Sequence, residues 1–344
     1  MKIGRRELES LSCGSEIIGG GGGGNTFPVR SVLNYYLREN HPPVTIGIDD
    51  ISDSALVMGV AYLGSTMVIE ERLPQGRNLI SSIKTLENFI GEKTSAIIPI
   101  EGAGVNALIP LLASVNSKTP VIDADGMGRA FPELSMTTFS INGISASPLT
   151  ISDDRGNVVV VEELEEKLTE EMVRGIALIY GGGAWLTAFP MTGAEARKFS
   201  IKGTISRNIR IGDVLLENTS PKEKIKKLER EFNVRLVGEG YVKEIFRYRE
   251  GKFSKGDLFI KCYDDRFLKV SFQNEYLMIT EQDEVIASVP TIITLIDAYT
   301  LRPIRTDEVT TEDEVLAICI PEPDELRTNK ALNKVGPRVF GYKI

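Results

Sequence analysis

The densest group of side chains able to do chemistry lies in VIDADGMGRAFPEL, where Asp123 and Asp125 stand two residues apart and Arg129 and Glu133 follow closely. In an extended strand, residues i and i+2 share a face, so the two aspartates are expected to point the same way. Two carboxylates at short range resist joint ionisation, which raises the pKa of one and suits the pair to general acid–base work. The competing structural reading has Arg129 pinning Asp125 or Glu133 in an ion pair. A second group is EGAGVN, Glu101 to Asn106, at the end of the strand-like run SAIIPIE. Ligands of open α/β sheets bind at the carboxyl ends of strands. Gly104 would let the backbone approach a ligand, and Glu101 and Asn106 would offer polar contacts. Asn106 would serve equally well as a helix cap.

The third feature is a run of six glycines, Gly19 to Gly24, followed by Asn25. If a helix starts after it, the backbone N–H groups of Gly21, Gly22, Gly23 and Gly24 could hold an anion or a developing oxyanion. Asp49 closes a strand-like run 25 residues after the last glycine, which keeps a dinucleotide-binding loop in view. No Lys-Ser or Lys-Thr follows the run, so a P-loop is excluded, and a flexible connector is the plain alternative.

Absences narrow the chemistry further. The chain has one histidine, His41, in the connector-like HPPV, and no GxSxG elbow, so a histidine-based nucleophilic triad has little to draw on. Cys13, Cys262 and Cys319 form no CxxC pair, which disfavours zinc and fits free thiols. An oxygen-ligated divalent metal on Glu101, Asp123, Asp125 or Glu133 stays open.

These groups need elements to position them. The first half alternates strand and helix signals: a helix at about 29–38, the apolar strand ALVMGVAYLG, a helix near 79–90, SAIIPIE, a helix near 107–115, then TPVIDADG. Such alternation predicts an α/β domain with a mostly parallel sheet. A helix over 162–178 follows, GGGAWLTAFP reads as a break after it, and 193–199 reads as a short helix. From Val234 onward, short alternating runs separated by polar turns predict a β-rich domain. The expected division is 1–165 and 166–344, the second part entered through a helix.

The formal net charge of -8 argues against nucleic acid or an anionic membrane as partner. The mixed-charge run from Lys222 to Arg230 reads as a solvated helix face. The first residues lack an apolar leader core, and no stretch approaches the roughly 18 apolar residues of a membrane span, so a cytoplasmic protein is expected.

The strings GGGGGGN, EGAGVN, DADGMGRAFPEL with MTTF, FQNE and VGPRVFGY resemble the signature blocks of the S-methyl-thiohydantoin desulfurase family, and the resemblance spans nearly the whole chain. It implies an N-terminal α/β domain and a β-rich C-terminal domain. It also implies a role in hydantoin or thiohydantoin breakdown, and a hydrolytic substitution that removes a methylthio group from a five-membered ring. A small-molecule substrate is expected on this basis, and a hydantoinase- or oxoprolinase-type protein partner and a homo-oligomer stay open. Ala103 and Thr291 depart from the family pattern, which has glycine and aspartate more often there. The combined expectation is a crevice among Gly19–Gly24, Glu101–Asn106 and Asp123–Glu133. Asp125 or Asp123 would activate water and the glycine amides would hold the oxyanion. Arg129 would orient a substrate carboxylate or a catalytic acid, and Asn274 and Glu275 of FQNE would reach in from the second domain. A non-catalytic subunit of a hydantoinase-type enzyme and a nucleotide-dependent oxidoreductase are the alternatives.

Overall fold

The computed structural model of the chain describes residues 2–39, 41–162, 165–250 and 253–344. Its first sheet grows from the apolar runs of the first half: β1 (Thr45–Ile46), β2 (Leu56–Gly64), β3 (Ala96–Pro99), β4 (Val121–Ile122), β6 (Leu149–Ser152), β7 (Val158–Val161) and β8 (Gly183–Thr192). The spatial order is β1-β4-β3-β2-β8-β6-β7. Pairing is parallel from β1 to β2 and antiparallel from β2 to β7. Strand β2 is buried continuously from Leu56 to Tyr62, as a central strand covered on both faces must be. The short β5 (Ala124–Asp125) leaves this sheet and pairs instead with β9 (Ile201–Lys202).

Helices α1 (Arg5–Ile18) and α2 (Phe27–Arg38), with the helices Arg77–Ile90 and Ile109–Ser117, bury one face of the sheet around Val60, Leu86 and Leu111. The other face packs Ile98, Leu186 and Phe139 beneath the helix Glu166–Ile179, among others. The segment GGGAWLTAFP, expected to be a break, forms most of β8. Its glycines lie at the start, and the apolar remainder pairs with β2 and β6.

The second sheet is antiparallel throughout: β10 (Arg235–Glu250), β11 (Phe253–Cys262), β12 (Phe267–Gln273), β13 (Glu275–Glu281), β14 (Glu284–Ser288), β15 (Ile292–Asp297), β16 (Pro303–Ile304) and β17 (Glu314–Ile320), ordered β14-β13-β12-β11-β10-β17-β15-β16. The expected architecture, α/β followed by β-rich, is the one observed.

An apolar cluster shared by both halves gathers Ile17 and Ile18 of α1 and Ile211 with Ile292, Ile296 and Ile318. Thr294 Oγ1 donates to the Ile17 carbonyl at 2.7 Å, so the end of α1 is pinned between the layers. No helix among the described residues is long and apolar enough to cross a membrane.

Candidate active site

The glycine run sits where α1 ends, and this changes its role. The residues Glu16, Ile17 and Ile18, which would have to form the strand before a dinucleotide loop, are the last turn of α1. That removes the nucleotide-binding reading. Asp49, the candidate ribose acid, lies exposed in a short 3-10 turn and pairs with Arg197 and Lys202. At the N-terminus of α2, Glu16 accepts from both the backbone N–H and the hydroxyl of Thr26.

The carbonyls of the run do the structural work. Gly20 O accepts from Tyr276 N at 2.8 Å, Gly21 O from Thr306 N at 3.0 Å, and Gly23 O from Val105 N at 2.8 Å. One strap of backbone thus stitches β13 and the loop after β16 to the EGAGVN loop. The approach is too close for side chains. A Cβ on Gly104, whose φ is +51°, would lie 1.9 Å from Gly23 O. A Cβ on Gly22 would lie 2.4 Å from Oε1 of Glu275. Asn25, next in line, accepts from Phe27 N through its side chain.

Three carboxylates gather around this strap: Glu101 after β3, Asp125 in β5, and Glu275 at the start of β13. Asp125 is fully buried. Its oxygens accept from Gly102 N at 2.5 Å, Gly128 N at 2.8 Å and Met127 N at 3.2 Å, so it ties the DADG turn to the EGAG loop. Burial pushes its pKa up to about 6, against the opposing pull of Arg207 and these N–H donors. Glu101 is only partly buried, unlike Asp125 and Glu275. Its carboxyl is held well above the usual range by burial, then by the charges of Glu275 and Asp125. Glu275 is 5% exposed, and its Oε2 has no hydrogen-bond partner among the described residues. Burial pushes it up to about 7, with Arg129 opposing.

Other expected site residues lie elsewhere or act otherwise. Asp123 and Asp125 do not share a face. The chain bends at Asp123, and its carboxylate turns to the helix Thr204–Leu215, where it accepts from the N–H and hydroxyl of Ser206. Glu133 lies outside the cluster, half-buried, accepting from the Ser135 hydroxyl. Arg129 is fully buried and pairs with neither Asp125 nor Glu133. Its Nε donates to Ala130 O at 3.1 Å, its Nη1 to Thr291 O at 2.8 Å and Pro290 O at 3.2 Å, and its Nη2 to Tyr276 O at 3.5 Å. The guanidinium is a strut from the first domain to the second, and burial lowers its pKa to about 10.

Asn106 caps no helix. Its side chain pairs with the backbone N–H and carbonyl of Tyr62 near the end of β2. Asn274 holds the turn before Glu275 with φ +60°, and its carbonyl accepts from the Thr306 hydroxyl at 2.5 Å. His41 is exposed in its connector, and the three cysteines are free. Among the described residues, no group of three or more His, Cys, Asp or Glu is placed to hold a metal.

Two supporting residues escaped notice in the sequence. Asn208 Nδ2 donates to Gly102 O at 2.6 Å, and Arg207 donates to Gly128 O at 2.9 Å while facing Asp125. The available signal was an asparagine on the apolar face of TISRNIRIGDVL, between Ile205 and Ile209, since a buried polar group needs a partner.

A surface hollow of about 440 Å³ lies at the tail beside Arg338, Tyr342 and Ile344. Arg338 there donates to the Ile344 carbonyl and so clamps the tail. It offers no carboxylate cluster, and the buried trio is the better candidate for chemistry.

Family profiles described as "S-Me-THD-like, N-terminal domain" and "S-Me-THD-like, C-terminal domain" match residues 6–163 and 164–344. The crystal structure of a protein from Chromobacterium violaceum is similar, with a TM-score of 0.82 at 20% identity, covering 99% of this chain and 98% of that one. At that identity the likeness shows the fold. No curated protein matches the chain.

Proposed function

Because the chain belongs to the S-Me-THD-like family, we propose that it is a hydrolase of a hydantoin- or thiohydantoin-type five-membered ring, with Glu275 and Glu101 as its titrating pair. The observation that carries this reading is the buried, unpartnered Oε2 of Glu275, set beside a glycine strap whose other side meets the loop of Glu101. A buried carboxylate with a free lone pair and a pKa near neutrality is suited to take a proton from water. A second carboxyl held protonated by its neighbours is suited to give one.

For an S-methylated ring the steps balance as follows. Glu275 removes a proton as the water oxygen bonds the carbon bearing the methylthio group, and Glu101 protonates the adjacent ring nitrogen. The C–S bond then breaks, Glu275 returns its proton to the sulfur, and the new hydroxyl proton goes to Glu101. Methanethiol leaves and a ring carbonyl remains. Asp125 acts here as a positioning group, because its three N–H bonds fix the loop that carries Glu101 and its charge helps keep that proton in place. This assignment replaces the expected pair Asp123 and Asp125, and it gives the glycine run a structural duty. The rate should rise as pH climbs through about 7, where Glu275 ionises, and fall again when Glu101 loses its proton.

The test follows methanethiol release from an S-methyl-thiohydantoin with a thiol reagent. Glu275→Gln and Glu101→Gln should each lower kcat by about 100-fold or more. Normal turnover in either variant removes that residue from the mechanism.

A further inference from the structure

The helix Glu166–Ile179 buries one face, with Thr169, Glu170, Val173 and Ala177, and turns an apolar stripe outward on the other. Leu168, Met172, Gly175 and Ile179 follow one another at steps of 4, 3 and 4 residues. That spacing keeps them in one line along the helix, the pattern of a seam between two packed helices. Met67 and Leu73, in and just after the short helix Thr66–Glu71, adjoin the end of the stripe. Arg72 beside them donates to the carbonyls of Tyr180 at 3.5 Å and Gly181 at 3.4 Å, so this segment lies against the helix end. Met67, Leu73, Leu168, Met172, Leu178 and Ile179 are all exposed, from 43% for Met172 to 82% for Ile179. At roughly 200 Å² for a fully exposed residue of this size, they leave on the order of 700 Å² open, more than the largest apolar patch of a typical monomer. A standard interface covers about 800 Å² on each partner, so the patch is the right size for a stable dimer.

The stripe is also complementary to itself. Laid antiparallel across a two-fold axis, Leu168 meets Ile179 of the second copy, and Met172 meets Gly175 of the second copy. Glycine weakens a helix interior relative to alanine, and a Cβ at Gly175 would touch nothing within 4 Å, so the fold of one chain does not call for it. A methionine from a second copy would fill that space. The same register sets Lys167 beside Tyr180 of the second copy, the C-cap of a helix whose own last turn holds no basic residue. A cation is favoured at that end of a helix. We propose that the chain forms a two-fold dimer by antiparallel pairing of the helix Glu166–Ile179, with Met67 and Leu73 at the rim. The dimer stands or falls independently of the hydrolase reading.

The experiment is sedimentation equilibrium of the full chain, which should be dimeric at about 20 µM. Ile179→Lys and Leu168→Glu each put a charge in the seam while suiting their own helix end, so circular dichroism should stay native. Each should raise the dimer dissociation constant by about 30-fold or more. Mixing the two variants sets the new cation against the new anion at one contact and leaves the other contact apolar. The mixture should therefore regain about tenfold or more in affinity. Met172→Lys, at the middle of the seam, replaces either variant that fails to fold and should weaken the dimer as much. A wild-type chain still monomeric at about 100 µM, a folded variant that dimerises normally, or a mixture no tighter than its components overturns the proposal. So does cosedimentation of monomeric wild type with phosphatidylcholine vesicles, which would give the face to a membrane surface.

Discussion

Replacing Glu275 by glutamine should stabilise the protein, and only in neutral to alkaline solution. The wild-type carboxyl has its pKa raised from 4.5 to about 7 by burial. Below pH 4.5 both the folded and unfolded chains hold the proton, so the side chain carries no ionic penalty. As pH rises, the unfolded chain releases its proton first, the folded chain lags, and stability falls. Above about 7 the loss is complete. At about 1.4 kcal/mol for each factor of ten in proton affinity, the full loss is on the order of 3 kcal/mol. Glutamine has nearly the same shape and never ionises, so it escapes that loss. For a chain of 344 residues, an unfolding entropy of about 2 cal/mol/K per residue converts this to a rise in Tm of about 4 °C. The assay is thermal unfolding of both proteins at about pH 4.5 and pH 8.5. Melting should coincide at the lower pH and separate at the higher, while turnover disappears. A variant that melts with the wild type at both values, or below it in alkali, refutes the claim that Glu275 is held in an unfavourable site for function.

Other substitutions test the scaffold. Asp125→Asn places an amide donor among three N–H donors and should cost about 1–3 kcal/mol in urea unfolding at neutral pH. An unchanged midpoint would show that those bonds do not hold the loop. Gly22→Ala sets a methyl group 2.4 Å from Glu275 Oε1, so circular dichroism should keep its native shape while turnover falls by about tenfold or more. Asp123→Ala removes the acceptor at the start of the helix Thr204–Leu215 and should cost about 1 kcal/mol of stability with turnover retained. A collapse of its kcat would restore Asp123 to the chemistry.

Much of the fold could be read in the residues because burial imposes periodicity. The continuous apolar run of β2 and the alternation from Val234 onward declare a central strand and an antiparallel sheet. Helix α1 was hidden by its own packing. It crosses the helix Thr204–Leu215 so closely that its inner face uses Ser10, Gly14 and Ser15, and a Cβ on Gly14 would lie 1.8 Å from Asn208 O. Small polar residues on a buried face erase the usual apolar stripe.

The site was legible in its parts and not in its arrangement. Glu101, Asp125 and Glu275 are all visible as candidate acids. Which acid is structural depends on whose N–H groups reach it, and spacing cannot carry that information. Six glycines likewise reveal a close approach without saying whether donors or acceptors are used, and here the carbonyls of Gly20, Gly21 and Gly23 are the engaged atoms. The aspartate pair failed as a same-face prediction because one bend at Asp123 sends the chain out of the first sheet.

The family profiles meet at residues 163 and 164, yet β8 begins at Gly183 and lies between β2 and β6. A gene severed at that junction would therefore yield two fragments that each lack what the other carries. The leading piece would hold a sheet with its middle rung missing and two raw edges facing the gap. The trailing piece would bear a ten-residue apolar ribbon with nowhere to lodge. Produced apart, such fragments should clump, and only co-expression would let them complement one another.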